Sequence, residues 1–209
     1  MISLLLILLP LLTGLAAFFI KDEKLARTWA VLASFATLTI AILSLCCMND
    51  TKSLNYHCEW LPSLGASFSL KMDGVAQLLC LLNTIAYPLV FIAGWDKTYK
   101  NAKNFFALML LAQAGIMGVF LAADALLFYF FWELALIPMY FLCSQWGGEK
   151  RVAVTFKFFI YTFIGSLLML ISILYLYGQT PDHSFSIESF YNLKLTSKQQ
   201  SIPFWLMFV

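Results

Sequence analysis

The chain has 209 residues, of which 62% are apolar, 17% aromatic and 11% charged. Soluble domains carry about 25% charged residues, so this sequence lacks the polar surface of a water-soluble globule and suits a lipid surrounding. The formal net charge is only +2 and no basic run occurs, which leaves nucleic-acid binding without support.

Six apolar runs follow one another at 2–20, 28–48, 74–95, 105–122, 125–143 and 156–177. Several reach the roughly 20 residues that cross a bilayer core at 1.5 Å rise per residue. They are continuous rather than alternating, and too long for strands. The expectation is an all-α, polytopic membrane helix bundle forming a single membrane domain over 1–209. It has six complete transmembrane helices and the start of a seventh at 202–209, IPFWLMFV. That last segment rises about 12 Å, too little for a core of ~30 Å. The chain is therefore expected to be truncated there or to end at the interface.

The first run, Met1 to Ile20, is uncharged and is followed by Lys21, Lys24 and Arg27. A cleaved signal peptide has the opposite polarity, so a retained helix with its N-terminus outside is expected. Strict alternation from that start puts nine basic residues inside: Lys21, Lys24, Arg27, Lys97, Lys100, Lys103, Lys150, Arg151 and Lys157. Four fall outside: Lys52, Lys71, Lys194 and Lys198. The split obeys the positive-inside rule and supports both the helix count and the orientation. The longest connections, 49–73 and 178–201, both lie outside and read as irregular loops.

Within the fifth run, LLFYFFWELALIPMYFL, Glu133 sits near mid-membrane. A carboxylate at that depth costs at least ~2.5–3.5 kcal/mol. Protonation, a buried cation or water lowers the cost, and all three belong to a proton or ion pathway. The bland alternative is a protonated acid that only hydrogen-bonds a neighbouring helix. Pro138 cannot donate to the carbonyl of Leu134, so that carbonyl is free to bind water or a cation, unless the proline is simply a packing kink. Lys157 opens the sixth run and either snorkels to the inner surface or faces Glu133. Tyr161, Thr162 and Ser166 follow at nearly helical spacing and could extend a polar track inward. Asp124 is placed to cap the fifth helix. Gln77, Asn83 and Gln113 read as interhelical glue. Gly115, Gly118 and Gly165 allow close helix approach, and Trp60, Trp95 and Trp146 mark the interfaces.

The five cysteines (Cys46, Cys47, Cys58, Cys80, Cys143) form no CxxC pair, and the histidines are two, His57 and His183. They read as packing residues rather than metal or cluster ligands. No GxGxxG, P-loop, nucleophile triad or haem-binding histidine pair occurs. No redox catalytic residue and no cofactor-binding residue is expected in this chain.

The stretch LLFYFFWELALIPMYFLCSQWGGEKRVAVTFKFFIYTFIGSLLMLISILYLY, and MDGVAQLL before it, resembles the subunit M (chain 4) family of proton-translocating NADH–quinone oxidoreductases, respiratory complex I. Subunits of this family are antiporter-like, of the Mrp type. The resemblance implies a proton channel coupled to electron transfer from NADH to quinone elsewhere in the complex. It places the channel's fifth-helix glutamate at Glu133 and a sixth-helix lysine at Lys157. It implies NADH, FMN, iron–sulfur clusters and quinone in partner subunits. It implies neighbouring antiporter-like subunits and the lipid bilayer as partners, and the bacterial inner membrane as location. The family's seventh-helix lysine and later helices have no counterpart here, so the chain reads as the N-terminal portion of such a subunit. A cation/proton (Na+/H+) antiporter subunit and a non-translocating structural fragment stay open as alternatives.

Overall fold

A computed structural model describes residues 1–46 and 54–208. Cys47, Lys52, the end of the second predicted run and Val209 lie outside them. The helices are α1 (Ile2–Ala17), α2 (Glu23–Cys46), α3 (Gly74–Ala93), α4 (Ala102–Leu121), α5 (Ala125–Trp146), α6 (Arg151–Gln179), α7 (Ile187–Tyr191) and α8 (Ser197–Phe208). Five of them, α2 to α6, are long and apolar enough to cross a membrane, and α1 is a shorter apolar helix of 16 residues. The molecule is a polytopic membrane helix bundle.

Most helices outrun their hydropathy boundaries. α2 begins at Glu23, α5 continues to Trp146 and α6 runs from Arg151 to Gln179. Hydropathy marks the stretch that suits lipid, whereas the backbone ladder continues wherever charged residues meet no breaker. α8 also starts early, at Ser197, so Pro203 lies inside it rather than at its start. A side-chain cap holds that start: Gln199 Oε1, three residues on, accepts from the backbone N–H of Thr196 at 3.0 Å and from its hydroxyl at 2.8 Å, the Gln half of a capping box.

The all-α expectation needs one correction. The connection before α3 holds an antiparallel hairpin of β1 (Tyr56–Leu61) and β2 (Ala66–Leu70). Its turn is a 3-10 segment, Pro62–Leu64, closed by Gly65 at φ 67°, where any Cβ would be strained. Main-chain bonds from Lys71 to Leu121 (2.8 Å) and from Ala123 to Ser69 (2.9 Å) hold the hairpin on the α4–α5 turn. At the opposite end, the Arg27 guanidinium donates to the carbonyls of Trp95 and Lys97, and the Trp146 indole donates to that of Lys100 at 2.9 Å. These contacts gather the basic connections at one end, as alternation requires.

α4 is the central helix, packed by α1, α2, α3 and α5. One buried cluster joins Leu6, Ile7, Ala41, Cys80, Met117 and Phe131 toward the hairpin end, which is the outer end in the orientation expected from the basic residues. A second joins Ala30, Ala33, Phe91, Phe106 and Leu110 toward the inner end. The α4–α5 seam is tight: a Cβ on Gly118 would lie 2.2 Å from the Phe131 ring, and one on Gly115 would lie 2.9 Å from Ala135. Gly165 differs from the expectation, because nothing lies within 4 Å of a Cβ there. Of the cysteines, Cys80 is a packing residue, whereas Cys46, Cys58 and Cys143 are exposed.

Candidate functional site

α5 carries Glu133, and its start is fixed by Asp124. The Asp124 carboxylate is 1% exposed; Oδ1 accepts from the backbone N–H groups of Leu126 (3.0 Å) and Leu127 (3.1 Å). Glu133 lies about 12 Å below that cap along the helix. Phe131 and Ala135 point into the α4 seam. At 100° per residue, Glu133 therefore points away from α4, toward the side covered by α6.

The carboxylate is half-buried, and its Oε1 has no hydrogen-bond partner among the described residues. Tyr129, one turn earlier on α5, lies beside Glu133 and Ser166 and interacts electrostatically with Glu133. Ser166 is buried on α6 and spends its own proton on the carbonyl of Phe163 at 2.9 Å, which leaves its oxygen as an acceptor. The arrangement is a carboxylate, a phenol and a hydroxyl within about one helical turn of depth between two helices. The carboxylate can take up a proton, and the neighbouring phenol has one proton to donate. Tyr129 was not among the residues singled out from sequence; its i, i+4 spacing to Glu133 was the available signal.

The other expected residues do not converge on Glu133. Lys157 is exposed and lies about 9 Å from the inner end of α6, whereas Glu133 lies about 20 Å from the inner end of α5. The two are thus offset by roughly two helical turns, and no ion pair joins them. Tyr161 is 76% exposed and points away from the bundle. Thr162 donates to the Phe158 carbonyl at 2.8 Å, so the inward polar track reduces to Ser166. Pro138 is buried inside α5, and Tyr140, two residues on, meets Phe159 of α6 edge-on at 5.2 Å. Gln77 acts as the expected glue, donating to Ser44 at 3.2 Å. Asn83 and Gln113 each retain amide atoms without protein partners.

Residues 122–209 match the family model described as NADH:quinone oxidoreductase/Mrp antiporter, transmembrane. Over 172 residues the chain is 39% identical to an F(420)H(2) dehydrogenase subunit M of Methanosarcina mazei, covering 81% of this chain and 35% of that protein. It is 33% identical to an NAD(P)H-quinone oxidoreductase chain 4 of Acaryochloris marina, covering 97% of this chain and 38% of that one. Its fold superimposes on a chain of respiratory complex I from Thermus thermophilus with a TM-score of 0.85 at 25% identity, over 100% of this chain and 43% of that one. The chain thus spans well under half the length of the proteins it matches. Sequence and fold agree: residues 122–209 carry the pattern of the NADH:quinone oxidoreductase/Mrp antiporter transmembrane family, and the chain as a whole is similar to oxidoreductase subunits M and chain 4 and to a chain of respiratory complex I.

Proposed function

We propose that the chain supplies part of a proton-translocating membrane subunit in a respiratory NADH–quinone oxidoreductase, with Glu133 as its membrane-embedded proton carrier. The observation that carries this reading is the Glu133 carboxylate itself, at mid-depth, with one buried oxygen unpartnered and Tyr129 and Ser166 beside it. A purely structural role would be served by a neutral residue at lower cost. In this reading α1 also spans, giving six complete helices with α8 as the start of a seventh, in a single membrane domain whose N-terminus is outside. Pro138 and Lys157 are supporting residues: Pro138 frees a carbonyl near Glu133, and Lys157 supplies positive charge toward the inner end. Tyr161 and Thr162 contribute less, given where they point. The chain holds no cofactor; NADH, FMN, iron–sulfur clusters and quinone belong to partner subunits, and neighbouring antiporter-like subunits pack in the same membrane, a bacterial inner membrane.

A second reading, a subunit of a multi-subunit cation/proton antiporter, is favoured by the breadth of the matched family, which names Mrp antiporters beside the oxidoreductases. Purification of the native complex through this chain separates the two. The first reading predicts co-purifying NADH-binding subunits and NADH–quinone activity. An antiporter complex without redox subunits would replace it with the second.

A further inference from the structure

A separate polar site lies on the other side of the bundle, where Glu133 does not face. On α4, Phe106 and Leu110 belong to the inner apolar cluster and Met117 to the outer one. Gln113 stands between them on the same helical face, three residues after Leu110 and four before Met117. On α2, Thr37 stands likewise between Ala33 of the inner cluster and Ala41 of the outer one. On α3, Asn83 and Thr84 stand between Cys80 and Phe91. Counted from the outer helix ends, Thr37, Asn83 and Gln113 all lie about 12–14 Å deep. The two apolar clusters are thus parted by one polar layer.

The hydrogen bonds of that layer do not close among the side chains. Gln113 is 0% exposed, and neither its Oε1 nor its Nε2 has a protein partner. Asn83 is 9% exposed, and its Nδ2 has none. Thr37 and Thr84 donate to the carbonyls of Ala33 (2.8 Å) and Leu81 (2.9 Å), so each keeps oxygen lone pairs free to accept. At mid-membrane an unmade hydrogen bond has no bulk water to fall back on. A site with an amide oxygen, two amide N–H groups and two hydroxyl acceptors matches the two to four partners that a buried water takes.

We infer that Gln113, Asn83 and Thr37 hold ordered water at mid-depth between α2, α3 and α4, a hydrated site independent of Glu133. The test is X-ray hydroxyl-radical labelling of the intact membrane complex in 18O water, read by mass spectrometry at Met117, which is itself 0% exposed. The inference predicts 18O on Met117 well above that on Phe91, which is 1% exposed inside the inner cluster. It also predicts loss of that excess in an assembled Gln113→Leu complex, and its retention in Gln113→Glu, which keeps polar atoms there. Labelling of Met117 no higher than Phe91 would mean a dry layer closed by a direct Gln113–Asn83 bond, and would overturn the inference. So would an excess that survives in Gln113→Leu.

Discussion

Asp124 Oδ2 accepts a hydrogen bond from the backbone N–H of Ser67 at 3.0 Å, while Oδ1 caps the helix that carries Glu133. One buried side chain therefore ties the outer hairpin to the first turn of α5. The backbone of Asp124 also bridges to Ser186, which brings the segment before α7 to the same point.

Replacing Asp124 with Ala removes the cap and the hairpin clamp together. Loss of a cap alone costs about 0.5–2 kcal/mol, so Asp124→Ala should lower the thermal stability of the solubilised complex measurably. Asp124→Asn keeps an acceptor oxygen and should lose less. Equal stability of Asp124→Ala and the parent chain would show that the clamp contributes nothing.

The α4–α5 seam predicts a contrast between two glycines. Gly118→Val drives a side chain into the Phe131 ring and should prevent or sharply reduce assembly. Gly165→Ala meets nothing and should assemble normally. Membrane abundance of the two variants by immunoblot checks the pair.

Tyr129→Phe removes the hydroxyl between Glu133 and Ser166 without changing packing volume much. In the proposed pathway it lowers proton translocation with little effect on assembly. Ser166→Ala should act in the same direction but less, since Ser166 lies beside Tyr129 and donates its proton to the Phe163 carbonyl. Unchanged pumping in Tyr129→Phe would remove the phenol from the pathway.

Lys157 is exposed and offset from the level of Glu133. Lys157→Ala is therefore expected to reduce pumping less than any neutralisation of Glu133. An equal loss would mean that Lys157 is brought to Glu133 by partners packed on α6.

Legibility in the sequence divided along physical lines. The apolar runs and the basic loops announced the bundle because lipid selects composition over whole segments, and Glu133 announced itself because a lone carboxylate among LLFYFFW and LALIP is conspicuous. Asp124 was legible as a cap from its position before the fifth run. The hairpin was not, because Tyr56–Leu61 and Ala66–Leu70 are short and their pairing is settled by tertiary bonds to Leu121 and Ala123. Tyr129 was hidden among six aromatic or aliphatic neighbours, where only its spacing to Glu133 distinguished it. Which of the two positions offered for Lys157 it takes, and where Tyr161 points, were not legible, because spacing along one helix does not fix which face meets the next. The early start of α8 was written in Thr196 and Gln199, a capping signal outside the apolar run.

The most direct test of the central claim is proton translocation per electron in an assembled Glu133→Gln complex, measured in sealed vesicles with redox turnover followed in parallel. The proposed role of Glu133 predicts strongly reduced pumping, with the substitution leaving assembly intact. Pumping at the parent level from a fully assembled Glu133→Gln complex would contradict it.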